Sequence, residues 1–358
     1  MRTGIANLPL HGGKCPGWLF ARMRKMSRAL LEVMLVDAPP AAVLTRLADP
    51  FWFQALGCAL GFDWHSSGLT TTVCGALKEA LADLKGGLFA AGGKGQTSRK
   101  TPQEIVSLAE NHQLTLDPDQ LVYASRMSAK VDSAAVQDGY QIYHHSFFFT
   151  AGGQWAVVQQ GMNEATGWAR RYHWLSTTMP DFVCEPHHAV CSDQKATTLN
   201  LVAGEGEPAR RLISELSREQ PEKLVRELKS LQAKTLSLPA RHSLDAADLH
   251  PDSLQRVLLK SYLNQPQDFT GLLATQGVGA KALRALALLA ELAYGTPPSY
   301  RDPARYSFAH GGKDGFPYPV DRPTYDDSIA FLQDAVNRAR MGQQEKLDAF
   351  RHLARWHK

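Results

Sequence analysis

Apolar residues recur at helical spacing between positions 18 and 35 (Leu19, Phe20, Met23, Met26, Leu30, Leu31, Met34), with Arg22, Arg24, Lys25 and Arg28 between them. That spacing predicts an amphipathic helix with a basic outer side. Asp49-Pro-Phe-Trp-Phe opens a dense apolar and aromatic run that reaches Phe62. A second helix is predicted over 72–84. Gly86-Gly87 and Gly92-Gly93-Lys94-Gly95 then read as a flexible basic loop continuing through Ser98-Arg99-Lys100. Thr101-Pro102-Gln103-Glu104 has the form of a helix start, with proline at the first helical position. The middle of the chain changes character. Positions 140–150 and 155–162 read as strands joined by a turn at Ala151-Gly-Gly-Gln154, after which 163–174 returns to helical or loop character. Positions 194–248 are polar, with Arg, Glu and Lys at helical spacing, and the chain is helical from 252 onward apart from the Gly- and Pro-rich 295–323.

These elements predict an α+β fold. An N-terminal mixed domain with a β-hairpin or sheet (1–193) is followed by a helical connecting arm (194–248) and an all-helical domain (249–358). A chain of 358 residues is long enough for two or three ordinary cores. An apolar fraction of 44% with 21% charged residues is that of a globular protein. A net charge of +4 permits a polyanionic partner without demanding one, so any electrostatic footprint must be local. No signal-peptide order and no membrane-length apolar run is present, and the five scattered cysteines imply no disulfide framework. A cytoplasmic protein, associated with the nucleoid if it binds DNA, is the expectation.

The most specific local pattern is Leu272-Leu-Ala-Thr-Gln-Gly-Val-Gly-Ala-Lys-Ala-Leu283. It predicts a helix, a tight Gly277-Val278-Gly279 turn and a second helix with Lys281 in its first turn. Glycines flanking one small apolar residue permit positive φ and close backbone approach, and the opening N–H groups of a helix suit a phosphate. Gln276, Gly277, Val278, Gly279 and Lys281 are therefore expected to grip a nucleic-acid backbone, most simply DNA. Lys94, Arg99 and Lys100 are expected to form a basic loop over it. The same spacing also serves a plain αα corner.

The stretch 125–174 is the richest in polar chemistry. Asp132 and Asp138 precede the predicted hairpin, and His144 lies on its first strand. In outline this matches a metal-dependent nuclease, with Asp132, Asp138 and His144 as ligands of a divalent ion (Mg or Mn) and Lys130 and His173 assisting. Asp63 and His65, in Asp63-Trp64-His65-Ser66-Ser67, extend the candidate catalytic set. The alternative is a polar sheet with satisfied histidines. Cys184-Glu-Pro-His187-His188-Ala-Val-Cys191 places soft ligands close together but lacks the distant second pair of a zinc site.

The hairpin resembles that of the helix-hairpin-helix DNA glycosylases and lyases, with Gln276 where they carry proline and Leu283 where they carry a small alanine. This resemblance implies a Schiff-base role for Lys281 and an acidic partner at Asp321 in Pro319-Val320-Asp321-Arg322. Along most of its length the chain resembles a family described only as a domain of unknown function, number 763. That likeness is carried by Leu8-Pro-Leu-His-Gly-Gly13, Phe51-Trp-Phe-Gln54, Gly61-Phe-Asp-Trp-His-Ser-Ser-Gly-Leu-Thr70, Gln159-Gln-Gly-Met162, Ala169-Arg-Arg-Tyr-His-Trp174 and His310-Gly-Gly-Lys-Asp-Gly315. It implies no activity. Three functions follow from the residues: DNA processing by phosphodiester cleavage, base excision through Lys281 and Asp321, and DNA binding without catalysis.

Overall fold

A computed structural model describes residues 15–62, 67–192, 194–230, 251–306 and 322–356. The fold is α+β, as the apolar pattern predicts. Four helices come first: α1 (Gly17–Asp37), α2 (Pro40–Ala48), α3 (Pro50–Ala59) and α4 (Gly68–Ala82). The predicted basic side of α1 is exposed, while Met23, Leu30, Leu31 and Met34 are buried. Strand β1 (Leu88–Lys94) leads through a 3-10 turn, Gly95–Lys100, into α5 (Thr101–Asn111) and α6 (Pro118–Lys130). After a π-helical turn, Val131–Ala135, come β2 (Val136–Gln137), β3 (Gln141–Thr150), β4 (Trp155–Asn163), β5 (Trp168–Leu175), β6 (Ala189–Cys191) and β7 (Leu199–Asn200). The remaining helices are α7 (Glu207–Leu216), α8 (Pro221–Ser230), α9 (Pro251–Asn264), α10 (Phe269–Ala274), α11 (Ala280–Leu292), α12 (Arg322–Arg338) and α13 (Gln343–Trp356). No helix among the described residues is long and apolar enough to cross a membrane.

The central sheet is antiparallel in the order β1-β3-β4-β5-β6, and β2 pairs separately with β7. The hairpin predicted over 140–162 is its core, with Phe147 opposite Val157 and His145 opposite Gln159. Two expectations are corrected. Positions 163–174 do not return to helix or loop, because 168–175 forms β5, antiparallel to β4. Asn163 Oδ1 accepts the Ala165 and Thr166 N–H groups at 3.0 and 3.2 Å, folding a tight turn that sends the chain straight back. Both faces of β5 are buried, so the alternation that marks a half-exposed strand is missing. Nor is the glycine run 92–95 simply a loop, since Gly92 and Gly93 close β1 against His145 and Ser146. A Cβ on Gly92 would lie 2.3 Å from the His145 carbonyl oxygen, so only glycine allows this pairing. Glu104 holds the same point, accepting the Gly92 N–H at 2.7 Å and the Lys78 ammonium at 2.6 Å.

Each face of the sheet carries its own apolar core. Phe147, Phe149, Trp155, Val157, Tyr172 and Trp174 point to one side and pack with α5–α11. Phe148, Ala156, Val158 and Leu175 point to the other and pack with α1–α4, α12 and α13. Period-two alternation separates neighbours in this way, and full burial of each phenylalanine contributes about 1.5–3 kcal/mol. Apolar packing crosses positions 193 and 248, where composition changes: Ile213, Leu216, Leu224 and Leu228 share one core with the strands and with α11. The C-terminal helices straddle the sheet, α9–α11 on one face and α12–α13 on the other.

Candidate functional site

Helix α6 ends in the π-helical turn, a local widening that often marks functional positions, and this turn delivers Asp132 to the core beneath β4 and β5. Its Oδ2 accepts the amide of Gln159 and, at 2.9 Å, the Trp174 indole N–H. Its Oδ1 pairs with His187 Nε2 at 2.5 Å. A carboxylate only accepts, so Nε2 of His187 carries the proton. The chain of bonds continues inward. Gln159 Oε1 accepts from His145 Nδ1 at 2.8 Å, leaving His145 Nε2 to accept from the Ser125 hydroxyl at 2.9 Å. Burial pushes the His145 pKa down against the bond from Gln159 and the charge of Asp132. Ser125, His145, Gln159 and Asp132 are all buried. His187, its side chain only 7% exposed, is the member of the chain nearest to solvent.

Asp138 lies on the same side in a separate cluster. It accepts from Arg170 Nη1 at 2.9 Å, the Tyr172 hydroxyl at 2.5 Å and the Tyr140 N–H at 3.0 Å. Arg170 Nη2 reaches Asp302 at 2.8 Å and the Gln194 carbonyl at 3.0 Å, tying the sheet to the 302–304 turn. Burial opposes the Arg170 charge, but Asp138 and Asp302 outweigh it and hold its pKa well above the ordinary guanidinium value.

The opposite face carries His144, His173 and Arg171. His144 Nε2 bonds the Ser146 hydroxyl at 3.1 Å, and its Nδ1 has no partner among the described residues. Burial, then His145 and Lys94, push the His144 pKa down to about 3. Arg171 donates from Nε to His173 Nε2 at 2.8 Å, from Nη1 to Gln54 at 3.0 Å and from Nη2 to the Pro50 carbonyl at 3.2 Å. Burial, then Arg171 and His188, hold the His173 pKa well below the usual imidazole value. Gln160 Nε2 reaches the Ser67 carbonyl at 2.9 Å. Segments 50–54, 67–70, 159–162 and 169–174, far apart in the chain, therefore meet across the sheet.

The set Asp132, Asp138 and His144 does not converge. The sheet stands between His144 and the two aspartates, because adjacent strand residues face opposite ways; His145, not His144, shares the side of Asp132. Both aspartates also use both oxygens on protein donors. Among the described residues no three His, Cys, Asp or Glu side chains group as metal ligands, the 184–191 cluster included. His173 lies on the face away from Asp132, and Lys130 is half-buried with its pKa lowered by burial. Asp63, His65 and Asp321 lie outside the described residues. His145, Gln159 and Trp174 are the members of the Asp132 network that reading for metal ligands passes over. The one sequence cue to His187 is its place in the Cys184–Cys191 string.

The hairpin forms as its glycines require. Asp268 caps α10 by accepting the Gly271 N–H at 2.7 Å, Gly277 takes φ +91°, and Gly279 occupies the N-cap of α11. Val278 is buried in the core, while Gln276, Gly277 and Lys281 are exposed. Gln137 Nε2 donates to the Ala280 carbonyl at 2.9 Å, anchoring the turn beside β2. The first turn of α11 holds no acidic residue and Gly279 supplies no capping side chain. Lys260 of α9 flanks the turn, its Nζ 3.8 Å from where a Cβ of Gly277 would stand. Lys94, Arg99 and Lys100 are exposed at the β1 edge, with the Lys94 ammonium 5.8 Å from the Tyr143 ring centre.

No curated protein and no solved structure matches the chain. Residues 4–320 match the family described as protein of unknown function (DUF763). The segments that meet on the sheet belong to that matched span, and the chain is a member of the DUF763 family.

Proposed function

We propose that this protein binds the sugar-phosphate backbone of DNA through the α10–α11 hairpin. The observation that carries the reading is the exposed Gly277 turn. It sits on a buried Val278 plug, opens onto the uncapped N-terminus of α11, and is flanked by Lys281 and Lys260. Backbone N–H groups at a helix start favour an anion, and two lysines add point charges that read no base sequence. This grip is the form the helix-hairpin-helix resemblance implies. DNA binding should weaken steeply with salt, and Lys281→Glu should lower affinity and flatten the salt slope by about one to two. Equal binding by parent and variant in a fluorescence-anisotropy titration would reduce the hairpin to a structural corner.

A second reading, phosphodiester hydrolysis, is favoured by the Asp132–His187 pair. A carboxylate that orients an imidazole at the rim of a buried network is the arrangement of a general base. The described residues do not fit a divalent ion at Asp132 and Asp138, so no step is assigned to one. Cleavage of DNA by the parent, lost in His187→Ala with DNA binding retained, is the expected result of this reading. Undiminished cleavage in that variant would refute it.

A further inference from the structure

We infer that the cavity between α6, the β3–β4 turn and the 176–182 segment binds a linear polyamine. Its volume of about 420 Å³ lies in the range of small-molecule sites. Three aromatic rings and Met179 line it. Phe182 lies parallel to Trp155, with ring centres 6.1 Å apart and 10° between planes, and Tyr123 meets Phe182 edge-on at 5.7 Å and 88°. Tyr123 remains 43% exposed. Aromatic faces attract cations and favour ammonium groups with attached methylenes.

The charges around the cavity point the same way. No Lys, Arg or His lines it, whereas Asp117 does. Asp181 adjoins the lining residue Phe182 in the chain, and Asp268 caps α10, which packs on α6; burial, then the charges of Asp268 and Asp181, raise the Tyr123 pKa. Each uses Oδ1 to accept a backbone N–H: Asp117 from Asp119, Asp181 from Val183 and Asp268 from Gly271. None forms an ion pair with a Lys, Arg or His among the described residues. Three carboxylates on three separate elements, without an ion-pair partner among the described residues, put negative charge on this side of the molecule.

The spacing selects the ligand. A divalent metal ion needs oxygens converging on one point, and no such group exists among the described residues. A polyamine distributes its charges along an apolar chain. Its methylenes would lie on Tyr123, Phe182 and Met179 while its ammonium groups meet the separate aspartates. The site shares only Asp268, the cap of α10, with the hairpin, and polyamine binding there does not depend on DNA.

Calorimetric titration of the full chain, freed of nucleic acid, with spermidine tests it. One saturable site is expected. Tyr123→Phe should keep the affinity, and Tyr123→Ala should weaken it about tenfold. The double variant Asp117→Asn/Asp181→Asn retains both capping acceptors and should weaken binding at least as much, with an unchanged melting temperature. Absence of saturable binding at millimolar spermidine would overturn the inference. So would equal affinity in parent, Tyr123→Ala and the double variant, or displacement of spermidine by Mg²⁺ at equal ionic strength.

Discussion

Polar residues at the centre of the sheet bond one another, whereas those at the α10–α11 turn face solvent. Asp132, Asp138, His145, Gln159 and Arg170 are almost wholly buried, and most of their polar atoms have a protein partner. Gln276, Gly277 and Lys281 are exposed around a helix start that lacks a side-chain cap. The contrast teaches that density of catalytic residue types is a poor guide to a site. In a buried sheet those residues satisfy each other, because an unpaired buried polar group costs about 1–3 kcal/mol. A sparse glycine turn, by contrast, opens onto a helix start without a side-chain cap.

The largest expected effect breaks the buried half of this comparison. Removing one partner of the Asp138–Arg170–Asp302 cluster leaves a charge uncompensated in the core. Asp138→Ala is expected to destabilise the fold by about 3–5 kcal/mol, read as a lower urea midpoint. Stability within 1 kcal/mol of the parent would show that the cluster is not a structural staple.

Acid sensitivity comes next. His144, His145 and His173 bind protons more weakly folded than unfolded. As pH falls below about 6.5 the unfolded chain takes up these protons first, so stability is lost. For His144 the loss should run from the ordinary imidazole value down to about pH 3, at about 1.4 kcal/mol per pH unit. Urea midpoints at pH 7 and pH 5 should differ more for the parent than for His144→Asn; parallel profiles would contradict the burial of a neutral His144.

Gly277→Ala tests the exposed half with a smaller cost. A left-handed φ of +91° should make alanine less stable by about 1–2 kcal/mol and should also weaken DNA binding. An unchanged melting temperature would mean that the turn relaxes without strain. Lys281→Glu is the mildest change, within about 0.5 kcal/mol in stability, and its effect should fall on DNA affinity alone. A variant that melts early would place Lys281 in the structural half of the comparison.

Much of the local structure was legible in the chain. The basic stripe of α1, the Thr101-Pro102 start of α5, the β3–β4 hairpin and the Gly277 turn each follow from short-range rules: helical period, proline at a helix start, strand alternation, glycine at positive φ. Strand β5 was not, because Ala169-Arg-Arg-Tyr-His-Trp174 is covered on both faces by networks made of distant residues, so its polar side chains read as exposed. The candidate metal set failed for a related reason. His144 and His145 are equivalent in sequence, and only the position of Asp132 distinguishes the face on which each works.

The sequence by itself determined most helices, the β3–β4 hairpin, which turn needs glycine, and that an α+β fold results, since these depend on residues a few positions apart. Tertiary structure alone decided which polar residues are partners. Asp132 meets His187 across 55 positions and Arg170 meets Asp302 across 132, separations over which composition and spacing hold no information. It also divided the C-terminal helices between the two faces, because each apolar stripe packs on whichever sheet face the chain's path brings it to.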